Sequence, residues 1–293
     1  MTPVTHSLVQ LNVAVILLGG TTLFAKLISL PAQTITLYRA MIGFVALALF
    51  IWLSKTGFRL KNRREYVMMG IAGLLVGLHW VSFFHSIQIS SVAVGILSLY
   101  TFPVITSFIE PVIDKQPIRF ASIAKALTIF FGISLMISEF EMSNRITMGV
   151  IWGVLSAIVF SLRNILVRKK LAHIPGTVAM AYQLFVMVFM LLPFSSFSWN
   201  LNTDHRLILL IVLGVMFTAV PHVLMVLSFR NLTVTTASLI MCLHPFYSIV
   251  FAMFVLAEVP DTNVVAGGII VVSVAIYEAV RVSLKRNMGR FNQ

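Results

Sequence analysis

SVAVGILSLYTFPVI, Ser91 to Ile105, and TVTTASLIMCLHPFY, Thr233 to Tyr247, are one pattern written twice. Each copy starts on a hydroxyl residue, runs through small and apolar side chains and reaches a proline, Pro103 in the first and Pro245 in the second. The copies lie 142 residues apart in a chain of 293. The same offset sets Leu18 on Phe160, Lys26 on Arg168, Trp80 on His222 and Ser86 on Ser228; a slightly larger one sets Tyr38-Arg39 on Tyr182-Gln183. One match between apolar stretches means little, but several at one offset mark an internal duplication.

The duplicated unit is not built for water. Hydrophobic residues make up 59% and charged residues 10% of the chain, where a soluble domain carries about 25% charged. A bilayer crossing takes about 20 apolar residues, so ten crossings use about two thirds of the length. That leaves no room for a soluble catalytic domain. Windowed hydropathy predicts helices near 8–27, 34–54, 66–86, 91–112, 119–138, 147–167, 177–197, 206–228, 234–256 and 262–280. The expected fold is all-α integral membrane, ten transmembrane helices in two five-helix repeats, 1–142 and 143–293. Five is odd, so the second repeat enters the membrane from the opposite side. Such inverted repeats are a hallmark of secondary transporters, whose substrate site lies near the midplane between them.

The charge pattern orients the chain. Alternate loops collect Lys55, Arg59, Lys61, Arg63, Arg64, Lys115, Arg119, Arg168, Lys169, Lys170, Arg230, Arg281, Lys285, Arg286 and Arg290 on one side, against Lys26, Arg145 and Arg206 on the other. The positive-inside rule then puts both termini in the cytoplasm of a cell with an inner membrane. Topology thus accounts for the net charge of +12, and no nucleic-acid partner is expected. The single Cys242 allows no internal disulfide. Met1 to His6 carry no Lys or Arg and no cleavage pattern follows, so the first helix reads as retained.

Charges and polar groups inside crossings need a reason. Arg39, Lys125 and Arg163 lie close enough to helix ends to snorkel; Arg39 and Arg163 alternatively face a cavity. Glu110 and Glu278 lie near cytoplasmic ends, Glu278 with Arg281 as a ready partner. Deeper are His79, Trp80, Tyr100, His222 beside Pro221, and His244 beside Pro245. A mid-span proline either kinks a packed helix or marks interrupted backbone at a cavity. At helical spacing Ser91, Gly95, Ser98 and Phe102 form one stripe, matched by Thr233, Ala237, Ile240 and His244. His244 is either a core histidine or a cavity wall facing Trp80 and Tyr100. Arg39 and Lys26, at facing helix ends, are expected together at the outer rim, where they would draw an anionic group.

The chain resembles the drug/metabolite transporter superfamily, EamA type. The resemblance rests on Leu18-Gly19-Gly20-Thr21-Thr22-Leu23-Phe24-Ala25-Lys26, on Arg39 after Tyr38, and on Phe84 to Ser91 followed by Pro103. It continues in Leu227 to Thr233 followed by Pro245, and in Glu258. Leu18 stands where the family has Trp, and Ala257 and Val259-Pro260 replace residues flanking the family's glutamate. The resemblance implies alternating access and export or exchange of a small metabolite, an amino acid or similar amphipathic or cationic compound. It leaves the substrate open.

The candidate substrate-binding residues are therefore Lys26, Tyr38, Arg39, His79, Trp80, Tyr100, Arg163, Gln183, His222 and His244, with Pro103, Pro221 and Pro245 as helix breaks. No cofactor or metal is expected, and the protein is read as a monomer or homodimer. With no acid at mid-span, His79, His222 and His244 are the titratable groups for proton coupling; exchange with a counter-substrate is the other route. A membrane-embedded enzyme would need a motif such as H-E-x-x-H or G-x-S-x-G, and neither occurs. A non-transporting structural protein is the remaining alternative.

A reporter that is active only outside the inner membrane, fused after Gln293, should stay silent; activity there would overturn the ten-helix map.

Overall fold

The computed structural model describes residues 2–118, 120–137, 141, 143–195 and 205–291, of which 234, 235 and 282–291 are described as backbone only. The described elements are all helical. The first crossing is α1 (Pro3–Thr21) with a short continuation α2 (Phe24–Leu27), the second α3 (Ala32–Leu53), the third α4 (Arg63–Ile89). The fourth is split into α5 (Val92–Leu99) and α6 (Phe102–Ile113), and the fifth is α7 (Phe120–Met136). In the second half follow α8 (Arg145–Lys170) and α9 (Gly176–Leu191), which ends in a 3-10 turn, Leu192–Phe194. The eighth crossing is α10 (His205–Gly214) joined through a π-helical turn, Val215–Ala219, to α11 (Val220–Ser228). The ninth is split into α12 (Val234–Met241) and α13 (His244–Val255), and the tenth is α14 (Thr262–Phe291). Among the described residues nine helical runs are long and apolar enough to cross a membrane, and α7 is a shorter apolar helix. The far end of the expected 177–197 span, the expected boundary at 142 and both terminal residues lie outside the described residues.

The duplication shows in the local stereochemistry as well as in the sequence. Ser91 and Thr233, related by the 142-residue offset, are both N-caps: the Ser91 hydroxyl accepts from Val94 N and the Thr233 hydroxyl from Thr236 N, each at 3.2 Å. At the far ends of the same crossings Lys115 and Ala257, again related by the offset, take left-handed φ values of 53° and 54°. Ala257 therefore holds, at some strain, a helix-end conformation that glycine adopts freely. Between cap and turn the helix breaks at Tyr100–Thr101 and at Cys242–Leu243. Both breaks lie inside the expected spans, just ahead of Pro103 and Pro245, two of the prolines read as helix breaks. Each proline falls in the first turn of the new helix, where a missing N–H costs no helical hydrogen bond.

Packing follows the inverted symmetry. α4 lies against α8 and α9, while its counterpart α11 lies against α1 and meets α9. Likewise α5 and α6 pack on α8, and α12 and α13 on α1; α3 pairs with α9, and α7 with α14. Lipid offers apolar surface as good as another helix, so close approach of backbones drives these contacts. The α4–α8–α5 junction is an instance: a Cβ on Gly153 would lie 2.5 Å from Ser98 Cβ, and Ser86 Oγ donates to the Gly149 carbonyl at 2.5 Å.

Lys125 does not snorkel, contrary to the sequence expectation. It is 7% exposed and paired with Glu278 across the α7–α14 contact, which shortens its path to a counter-charge below that to water. Arg281 stands 3.7 Å from the same carboxylate. Removing one partner of a buried pair costs about 3–5 kcal/mol because the other charge is stranded. Lys125→Met should lower thermal stability in detergent by an amount near the lower bound, since Arg281 remains. Lys125→Met with Glu278→Leu should recover most of it; equal losses in the single and double variants would contradict the pairing.

Candidate functional site

The breaks in the helices are stitched to the opposite repeat. Proline at position 245 cannot donate to the carbonyl of Met241 one turn earlier, and the Tyr100 hydroxyl of the first repeat donates to that oxygen at 2.8 Å. Pro221 likewise frees the Phe217 carbonyl, which receives the Thr21 hydroxyl at 3.0 Å. At the fourth crossing the Phe102 carbonyl accepts from Ser161 Oγ at 3.1 Å. Broken backbone is tolerated at membrane depth only where such partners exist or water reaches it.

Around these breaks lies a polar cluster drawn from α3, α4, α8, α9 and the π-helical turn. Arg39 is 4% exposed. Its Nε donates to Thr218 Oγ1 at 2.7 Å, and its guanidinium carbon lies 3.6 Å from the ring centre of Trp80 and 5.4 Å from that of Phe84. Thr218 passes its own hydroxyl proton to the Leu213 carbonyl, five residues back, at 2.8 Å. The widened π turn thus orients the acceptor for Arg39, as such turns do at functional sites. His222 Nδ1 stands 2.6 Å from the Thr218 carbonyl, which assigns it the proton on that nitrogen. Across the cluster Arg163 donates from Nε to Gln183 Oε1 at 2.8 Å and from Nη1 to Asn164 at 3.0 Å. Both arginines act electrostatically on His79 and His222.

His79 lies within electrostatic reach of both cations. Ser156 Oγ donates to the His79 carbonyl at 3.0 Å, so its oxygen accepts from His79 Nδ1 at 2.7 Å. That leaves Nε2 as an acceptor. The ring is stacked on Phe160 at 4.5 Å and on Phe83 at 6.1 Å. Aromatic contacts continue from Phe160 to Phe102 at 5.1 Å, from Phe102 to Tyr100 at 5.9 Å and from Tyr100 to His244 at 6.0 Å. One run of rings therefore connects the arginine cluster with the two helix breaks.

Arg39, His79, Trp80, Arg163, Gln183 and His222 of the sequence-derived set come together in this cluster. Tyr100 and His244 lie beside it at the breaks, as do Pro103 and Pro245, while Pro221 opens α11 next to His222. His244 faces the backbone of Leu18 and its Nε2 is buried without a hydrogen-bond partner. Tyr38 is buried one residue before Arg39. Lys26 goes elsewhere: its Nζ donates to the Ser90 carbonyl at 2.9 Å and stands 3.4 Å from Glu258. The expected Arg39–Lys26 rim is thus replaced by two separate sets of partners, and Arg39 turns inward rather than snorkelling. Thr218, Ser156 and Phe160 were not singled out from the sequence; only the offset that sets Phe160 on Leu18 hinted at one of them. Beside the cluster, an apolar groove of about 720 Å³ runs between α3 and α11, lined by Met41, Val45, Val220 and Val223, and contributes no polar group. Among the described residues no group of three or more His, Cys, Asp or Glu could hold a metal ion.

The model of the EamA-like transporter family matches residues 7–138 and, a second time, residues 147–277. The chain belongs to the EamA-like transporter family. EamA-like proteins are membrane transporters of the drug/metabolite type, and the two matches coincide with the two five-helix halves seen in the structure. No functionally curated protein matches the sequence. Of the solved structures that share the fold, one crystal structure with 15% sequence identity superposes with a TM-score of 0.64 over 94% of this chain and 96% of its own length. At that identity it speaks for the fold alone.

Tyr100→Phe removes the donor to a buried carbonyl and should cost about 1–3 kcal/mol, read as a lower unfolding temperature in detergent. An unchanged temperature would show that the Met241 carbonyl has another partner.

Proposed function

We propose that this EamA-like protein is a secondary carrier that moves a small amphipathic metabolite, of amino-acid size, across the inner membrane by alternating access, in export or exchange. The observation that carries the reading is an inequality between repeat-related half-helices. All eight residues of α5, on the outer half of the fourth crossing, are buried. Its counterpart α12, on the basic and by rule cytoplasmic half of the ninth crossing, has no buried residue among its described side chains. Two copies of one element in one bilayer would be buried alike if both ends were closed. The difference supports a state shut outside and open to the cytoplasm.

A latch on the outer side supports the same reading. Glu258, in the segment after α13, accepts from the Val92 amide at the start of α5 at 2.9 Å and pairs with Lys26 of α2. The carboxylate thereby joins the fourth and ninth crossings from the N-terminal, positive end of α5. By the offset, the cytoplasmic counterpart of Glu258 is Gln116, which is exposed. The ion pairs on that side, Arg168 with Glu110 and Lys169 with Asp114, tie α8 to the fourth crossing. A membrane-embedded enzyme or a purely structural protein gains nothing from such an inequality, whereas a carrier requires it.

The test begins with a thermal-shift screen of detergent-purified protein against amino acids, nucleosides and amphipathic amines, since a compound that binds the folded state raises its stability. A stabilising compound is then loaded into proteoliposomes. Internal compound should accelerate uptake of labelled external compound, and Glu258→Gln should change that rate. Binding without counterflow would reject the carrier.

A further inference from the structure

We infer that the central cluster is an anion site, and that the compound it takes carries a carboxylate beside an aromatic or apolar body. The inference rests on the carrier reading and adds the chemistry of the cargo. It starts from a charge imbalance. Arg39 and Arg163 have only neutral partners: Thr218 and ring faces for the first, Gln183 and Asn164 for the second. Among the described residues both Nη amines of Arg39 and one of Arg163 donate to nothing. Arginine stays charged in proteins, so the cluster holds two positive charges.

Among the described residues no acid of the chain neutralises them. Of its nine Asp and Glu, Glu65 is bonded to His173, Glu110 to Arg168, Asp114 to Lys169, Glu258 to Lys26 and Glu278 to Lys125. Glu141 and Asp261 are exposed outside the helices. Positions 139 and 204 lie outside the described residues, in stretches between the expected crossings. Elsewhere this protein buries a cation against a carboxylate, as Lys125 against Glu278 shows. Two guanidiniums left with hydroxyl, amide and π partners are a departure, because neutral dipoles and ring faces offset desolvation only in part.

The surroundings narrow the ligand. The Arg39 Nη pair, which makes no hydrogen bond among the described residues, forms a planar fork that fits a carboxylate bidentately. The new helices α6 and α13 begin at Phe102 and His244, within the same run of rings, and their positive ends add to an anion-attracting field. Trp80, Phe83, Phe84 and Phe160 offer faces rather than hydrogen bonds, which suits an apolar or aromatic body. The site therefore disfavours the amphipathic cation that the family resemblance left open.

The experiment uses the full chain in detergent at low ionic strength, with unfolding followed in the presence of phenylacetate, its uncharged amide phenylacetamide, the cation phenethylamine, or inorganic phosphate. Phenylacetate should raise the unfolding temperature while the amide and the amine do not. In Arg39→Gln that shift should vanish, corresponding to affinity weaker by about tenfold or more. Gln183→Glu supplies the missing carboxylate from within, so it should raise the unfolding temperature without ligand and abolish the phenylacetate shift. Any of four results overturns the proposal: no shift with phenylacetate, an equal or larger shift with the amine or with phosphate, a shift that survives Arg39→Gln, or a lower unfolding temperature for Gln183→Glu. Counterflow of phenylacetate in liposomes separates the two readings. A shift without counterflow keeps the anion site and rejects the carrier; counterflow of phenethylamine but not of phenylacetate keeps the carrier and rejects the anion site.

Discussion

A carbonyl or a charge at mid-membrane cannot turn to water, and the arrangement of this protein follows from how each such group is matched. Proline at 221 and 245 releases carbonyls at Phe217 and Met241, and both are taken by hydroxyls from the opposite repeat, Thr21 and Tyr100. A break that would be a defect in one helix becomes a joint between two halves. The energetic weight of such joints is that an unmatched buried carbonyl costs about 1–3 kcal/mol, a large share of the total stability of a protein.

The two halves carry nearly the same caps, turns and prolines, yet their repeat-related half-helices are not buried alike. All eight residues of α5 are buried and no described side chain of α12 is, and the ion pairing at the two ends differs as well. On the side opposite the basic loops, Glu258 reaches across to the α5 amide and Lys26. On the basic side the pairs Arg168–Glu110 and Lys169–Asp114 stay within the α8 and fourth-crossing group. Packed interfaces of this type are bistable rather than continuously deformable. On the proposed carrier reading, a few surface contacts, each modest in water-exposed surroundings, are then enough to bias which end is shut.

Much of the fold was legible in the sequence because the bilayer imposes a length and a polarity that composition records directly. The repeat was legible because its copies share a proline and a cap at one spacing, with a tyrosine-arginine or tyrosine-glutamine pair at a slightly larger one. What the sequence hid was depth and direction. Lys125 read as a snorkelling residue, and Arg39 as either snorkelling or cavity-facing, because both lie near helix ends, but a side chain turns toward the nearest matched partner, and only the packing of α3 on the π turn and of α7 on α14 decides which that is. Thr218 escaped notice because its role depends on a π turn that has no sequence signature besides a nearby proline. Six of the ten candidate residues nevertheless fell into one cluster, since intramembrane polar residues are rare enough that most of them share one reason.

The central claim is that the two ends of the fourth and ninth crossings open in opposition. It is tested most directly by pulsed electron resonance between spin-label pairs, Ser91 with Val259 on the outer side and Gln116 with Arg230 on the basic side, introduced with Cys242→Ala. In lipid, Glu258→Gln should lengthen the outer distance and shorten the basic one in the same sample. Distances that lengthen together, or an outer distance that grows while the basic one stays fixed, would contradict it.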